Sequence, residues 1–265
     1  MTIKPQSGPK TAETKTGVAS LLSLDGNMKK ELTSKTIDFD PFHSRGELAW
    51  TAPATEGQTE MWTSLAFSSE ATLAYNESIA VFLSAPLDPK RLDQAVGLLI
   101  ERHDALRTSF SPLGRTLYVA KTGHCPIRRH DLTSFATEAQ QHQWAELRRR
   151  DTSEAFATDH APLLRISHVT FSKQDARLLI TAHHLVCDGW SLAVLLTDLA
   201  KAYSEGALNA APSFADYARK KAPNAKTTAY WNAIFADGGS ILELPIEGQR
   251  PALRTFESLR ADRII

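Results

Sequence analysis

Arg177-Leu178-Leu179-Ile180-Thr181-Ala182-His183-His184-Leu185-Val186-Cys187-Asp188-Gly189-Trp190-Ser191 is the stretch on which the fold turns. Arg177 to His183 reads as a strand, apolar enough through Leu178, Leu179 and Ile180 to sit at the centre of a sheet. Asp188 and Gly189 make the turn out of it. Beyond them Leu192, Leu195, Leu196 and Leu199 recur at helical spacing and face a core. A buried strand, a polar turn and an amphipathic helix in that order predict an α/β arrangement.

Working outward, Leu164 to Phe171 reads as the strand before it, joined through the polar turn Ser172-Lys173-Gln174-Asp175. Further back lie a long polar helix from about Phe135 to Thr152 and extended pieces at Ile127–Asp131, Thr116–Val119 and Leu106–Phe110. The last two flank a turn at Pro112-Leu113-Gly114. Asp88 followed by Pro89 marks a helix start running to about Arg102, with Leu92, Ala95, Val96, Leu99 and Ile100 on one face. Ser78 to Leu83 reads as a strand. Met61, Trp62, Leu65 and Ala66 suggest a helix from Gln58 to Phe67, and order is expected from about Glu56. On the other side, Ser213 caps a short helix to about Lys220, and Thr228 to Phe235 forms another. Leu242 to Pro251 reads as extended. The sum is one mixed sheet flanked by helices, of class α/β or an α+β sandwich. Residues 1–45 are polar and without hydrophobic rhythm, and read as a disordered tail or linker, with at most a short turn at Leu21, Leu22 and Leu24.

Composition removes several functions. The 265 residues carry equal numbers of acidic and basic side chains, which argues against a general nucleic-acid binder. No run of about 18 apolar residues suggests a membrane span. Two isolated cysteines, Cys125 and Cys187, make neither a disulfide framework nor a zinc site, so a cytoplasmic setting is expected.

The histidine pair is the chemical signal. Adjacent strand residues face opposite ways, so one of His183 and His184 can face the interior while the other faces a cleft. A histidine there can serve as general acid or base. Gly189 lets a backbone N–H approach a ligand. No third ligand at suitable spacing supports a metal, and no G-x-S-x-G elbow supports a serine hydrolase.

His183-His184-x-x-x-Asp188-Gly189-Trp190-Ser191 resembles the signature of condensation domains of nonribosomal peptide synthetases. Upstream, Arg102-His103-Asp104-Ala105-Leu106-Arg107-Thr108-Ser109-Phe110 is similar to a second motif of that family, with Asp104 in place of the usual Glu. Thr55 to Trp62, with Gln58 before an aromatic, resembles its opening motif. Ser213 to Tyr217, Tyr230-Trp231 and Leu242 to Pro245 look like the bridge between its two lobes.

The resemblance implies a chloramphenicol-acetyltransferase-like lobe over residues 50–205, with residues 206–265 as the bridge and the start of a truncated second lobe. It implies an acyltransferase joining a donor thioester to an acceptor amine in nonribosomal peptide or hybrid polyketide-peptide biosynthesis. Both substrates would ride on the 4'-phosphopantetheine of partner carrier proteins, with no cofactor bound directly. His184 would be catalytic and His183 structural. Asp188 would pair with Arg107 to hold the loop, so that Asp188→Asn damages folding, and Gly189 would present its backbone to the donor carbonyl. A complete domain of this kind is roughly twice as long as the matched part, so a fragment or a truncated gene is expected, needing the missing lobe for activity.

Bland readings fit other features. Arg128-Arg129 and Arg148-Arg149-Arg150 read as a solvated face rather than a dock for an acidic carrier. Cys187 and Trp190 read as packing, and His103 as structural. Two alternatives compete with the leading function: an acyltransferase using free acyl-CoA, and a non-catalytic lobe that only binds a carrier.

Overall fold

The computed structural model of the chain describes residues 47–67, 69–220 and 224–239, all within the unit spanning residues 37–265. The expectations for residues 1–45, for Leu242–Pro251 and for the start of a second lobe beyond residue 239 lie outside the described residues. In chain order the elements are β1 (Leu48–Pro53), α1 (Glu56–Phe67), α2 (Ser69–Ala74), β2 (Asn76–Leu83) and α3 (Pro89–Arg102). A 3-10 turn (Asp104–Arg107) then leads to β3 (Thr108–Phe110), β4 (Thr116–Ala120), β5 (Ile127–Asp131) and α4 (Thr137–Thr152). The remainder are β6 (Leu164–Thr170), β7 (Ala176–His183), α5 (Gly189–Glu205), α6 (Phe214–Lys220) and α7 (Ala225–Ile234).

β7 is central, as its apolar run predicts: every one of its residues is buried. It pairs antiparallel with β2 on one side and β6 on the other, and β5 adds parallel to β6, giving the order β2-β7-β6-β5. The parallel pair is joined through α4, because parallel strands need a crossover. Period two then sorts the side chains of β7. Leu178, Ile180 and Ala182 pack with Leu92, Val96, Leu99 and Ile100 of α3 and Leu192, Leu195 and Leu199 of α5. Leu179 packs on the other face with Trp144 of α4, Val169 and Phe171. Burying each of these large apolar side chains contributes roughly 1.5–3 kcal/mol relative to exposure.

The helix ends follow their sequence signals. The Asp88 carboxylate accepts from Arg91 N at 2.8 Å and Pro89 takes the first helical position of α3. Ser213 Oγ accepts from Asp216 N at 3.0 Å at the start of α6. Gly206, at φ 71°, ends α5 in the left-handed region.

Three features depart from expectation. A second, three-stranded antiparallel sheet, β1-β4-β3, stands beside the first, where one mixed sheet was expected. Its first strand begins at Leu48, before the expected onset of order, and carries too short and weak an alternation to announce itself. Leu106 and Arg107 lie in the 3-10 turn rather than in a strand, because Leu106 N bonds back to His103 O at 3.1 Å. The second core gathers Ala52, Phe110, Leu117 and Val119 of this sheet with Leu163, Leu185 and, from α6, Ala215 and Ala218. Trp62 of α1 lies over Gly114, whose φ is 66°; a Cβ there would fall 2.0 Å from the indole.

Candidate active site

The loop leaving β7 is fixed largely through its own main chain. His183 N donates to Leu163 O at 3.0 Å, His184 N to Tyr75 O at 2.8 Å, and Val186 N to His183 O at 3.0 Å. Gln58, buried at the start of α1, donates from Nε2 to Leu185 O at 2.9 Å, while its Oε1 accepts from Thr55 N at 3.0 Å. α1 is thereby pinned to the loop.

The two histidines take the opposite environments that strand alternation predicts. His183 is fully buried. Its Nδ1 accepts from Leu185 N at 3.1 Å, and its ring meets Phe156 edge-on at 6.1 Å. Burial, then the neighbouring His184 and then Arg165, push its pKa down to about 4, so it is neutral near pH 7. His184 is partly exposed and lines a cavity of about 420 Å³. Its Nδ1 lies 2.8 Å from Cys187 O. A carbonyl only accepts, so Nδ1 carries the proton and Nε2 keeps the lone pair. The ring stacks on Tyr75 at 6.3 Å, and Oε1 of Glu77 lies 3.3 Å from Nδ1.

Asp188 and Arg107 are not brought together. Asp188 caps α5: its Oδ1 accepts from Ser191 N at 2.7 Å and from Ser191 Oγ at 2.5 Å. Those bonds hold its carboxyl below the usual carboxylate range. Arg107 is buried elsewhere, donating from Nε to Ile100 O at 3.1 Å and from its terminal nitrogens to the carbonyls of Ala120, Lys121 and Glu101. The expected brace is therefore replaced by two separate anchors. A helix N-terminus supplies the donors that Asp188 needs, and a ring of main-chain carbonyls supplies the acceptors that Arg107 needs.

Gly189 opens α5, with nothing within 4 Å of where a Cβ would stand. Trp190 does not pack: it is 83% exposed at the cavity, because the apolar stripe of α5 begins only at Leu192. Cys187 is buried, and burial pushes its thiol up to about 12. His103 also lines the cavity, and its Nε2 is 2.7 Å from Asp198, which Arg102 reaches at 2.9 Å.

Three side chains at this site escaped sequence reasoning in their roles: Gln58, Glu77 and Asp104. Buried Asp104 accepts from Phe214 N at 3.0 Å, from Ala215 N at 3.3 Å and from Ser213 Oγ, tying the 3-10 turn to the start of α6. The candidate basic patches are largely engaged within the chain. Arg128 pairs with Glu154 and Arg129 with Asp93, each at 2.7 Å. Arg149 pairs with Glu146 at 2.6 Å, and Arg148 lies over Trp144.

A family model described as "Condensation domain" matches residues 49–264. Surfactin synthase subunit 2 of Bacillus subtilis (strain 168) is 33% identical over 220 residues, covering 78% of this chain and 6% of that protein. Malpinin synthetase of Mortierella alpina is 28% identical over 224 residues, covering 78% of this chain and 3% of that protein. The crystal structure of the starter condensation domain of rhizomide synthetase RzmA shares the fold, with a TM-score of 0.63 at 21% identity, over 72% of this chain and 49% of that one. The chain thus spans about half the length of the solved domain and a small part of each curated relative.

Proposed function

Because this chain belongs to the condensation-domain family, we propose that it is the histidine-bearing lobe of an acyltransferase that forms an amide from a donor thioester and an acceptor amine. A relative named as a tripeptide synthetase, phosphinothricin tripeptide synthetase PhsC of Streptomyces viridochromogenes, supports a place in nonribosomal peptide assembly. Donor and acceptor would then be delivered on the phosphopantetheine arms of carrier proteins. The cavity suits a thioester-linked chain, since Met61, Val194, Leu195 and Phe214 give it apolar walls beside His184.

The observation that carries this reading is the fixed tautomer of His184. With Nδ1–H turned to the Cys187 carbonyl, Nε2 is left as a base at the cavity. An α-amine has a reference pKa of about 7.7–8.0, so an appreciable fraction is already a neutral nucleophile near pH 7. The amine nitrogen attacks the thioester carbon, and Nε2 takes the proton that the nitrogen sheds. The tetrahedral adduct then expels the thiolate: the C–N bond is kept, the C–S bond breaks, and the imidazolium returns its proton to sulfur. The oxyanion would form near the N-terminus of α5, where the backbone of Gly189 faces open space. General acid–base help of this kind is worth about 10²–10⁴-fold, while holding the two reactants together supplies on the order of 7–11 kcal/mol.

The test is amide formation from a carrier-bound acyl thioester and an amine by this chain supplied with the second lobe of a condensation domain, followed by mass spectrometry. Wild type should exceed the buffer reaction, and His184→Ala should be slower by up to the base contribution without losing all turnover of reactive amines. A wild-type rate equal to the buffer reaction, or to that of His184→Ala, overturns the reading.

A further inference from the structure

Glu77 is the second residue of β2, and the antiparallel register sets it opposite Ala182, beside the Asn76–His183 pair at the end of β7. Tyr75, two residues before it, receives His184 N and stacks on its ring. This packing brings Glu77 Oε1 to 3.3 Å from His184 Nδ1. The other oxygen, Oε2, is buried and makes no hydrogen bond among the described residues. A carboxylate oxygen withdrawn from water without a donor is costly, so its placement calls for a compensating charge.

The neutral ring does not supply one. Its Nδ1–H is already directed at Cys187 O, so the carboxylate gains little while His184 is uncharged. It gains a full ion-pair interaction once Nε2 has taken a proton and the ring is an imidazolium. An interaction that strengthens only as the reaction proceeds is the kind that accelerates it.

The other groups around the ring are turned elsewhere. His183 of β7 is held neutral by burial. Asp188, in the loop after β7, adds a negative charge that His184 also feels, but its Oδ1 is turned to Ser191 at the start of α5. Cys187 offers its carbonyl and a protonated thiol. Tyr75 contributes a ring face. His103, which lines the same cavity from the end of α3, is paired with Asp198.

We infer that Glu77 is a positioning residue for His184: its carboxylate keeps Nδ1 turned away from the cavity and stabilises the imidazolium formed when Nε2 accepts the amine proton. This rests on the reading of His184 as the base. It marks β2, not only the loop after β7, as part of the machinery. Both side chains are about one-third exposed, so solvent screens part of the attraction between them.

The experiment is NMR of the full chain with isotope-labelled histidine, with His184 assigned through His184→Gln. In wild type the neutral ring should show a protonated Nδ1 and a bare Nε2; the opposite tautomer overturns the inference without any variant. Glu77→Gln should give a detectable fraction of the Nε2-protonated tautomer, and Glu77→Asp should restore part of the wild-type ratio. In the amide-forming assay kcat should fall several-fold in Glu77→Gln and recover in part in Glu77→Asp. A purely structural role for Glu77 would lower kcat without changing the tautomer ratio. An unchanged tautomer ratio in a folded Glu77→Gln overturns the inference. A changed ratio together with a His184→Ala variant as fast as wild type leaves the Glu77–His184 pair standing and removes the base.

Discussion

Removing Asp188 and Arg107 separately and together tests how the loop after β7 is held. Asp188→Ala deletes the cap of α5, where Oδ1 takes both Ser191 N and Ser191 Oγ; loss of such a cap costs about 1 kcal/mol. Arg107→Met keeps the stem but removes the guanidinium from the carbonyls of Ile100 and Ala120. Each buried acceptor left without a donor costs about 1–3 kcal/mol, so roughly 2–6 kcal/mol is expected for the pair. The two residues share no partner, so the double variant should lose the sum of the two to within about 0.5 kcal/mol. Had they formed an ion pair, the cycle would show coupling of up to about 3 kcal/mol. Urea unfolding of the four proteins, followed by tryptophan fluorescence and circular dichroism, gives the cycle. A coupling above about 1 kcal/mol would refute two independent anchors. Asp188→Asn sharpens the point: asparagine caps as well as aspartate, so it should cost only a few tenths of a kcal/mol, where a lost Arg107 brace would destabilise severely.

Two further outcomes follow from the same loop. His183 accepts a proton at about pH 4 in the fold against about 6.5 when unfolded. Between those values the unfolded chain binds more protons. The stability tied to this group is therefore complete above about pH 6.5 and falls away toward pH 4, by about 3 kcal/mol in all. Unfolding free energies of wild type and His183→Gln, measured across that window, should converge by this amount as pH falls, and parallel curves would contradict it. Burial holds Cys125 up at about 11 and Cys187 at about 12, so a disulfide reagent at pH 8 should label neither thiol in the folded chain and both in urea; rapid labelling of native Cys187 would show that the loop opens.

What the sequence made legible was local. α3 and α5 could be read because caps and apolar spacing act within a few residues, and their buried faces carry the side chains that the spacing named. The opposite fates of His183 and His184 followed from the period of a strand. What could not be read depends on register between distant segments. β1 finds its sheet only by pairing with β4, and Glu77 meets His184 only because β2 lies against β7. The Asp188–Arg107 pairing came from resemblance, and nearer partners displaced it: a helix end for the acid and main-chain carbonyls for the base. Trp190 looked like a core residue because it is large and apolar, yet it precedes the stripe that faces the core.

The three bonds that Asp104 accepts at the start of α6 bear on how this segment can be joined to others. Gly206 closes a long helix and looks like a natural splice point for domain exchange. A junction placed there would discard Ser213, Phe214 and Ala215, strand a carboxylate inside the protein, and strip Ala215 and Ala218 from the core they share with β1. A chimera that keeps the chain through Lys220 carries its own seal and leaves the native surroundings of the histidine loop in place.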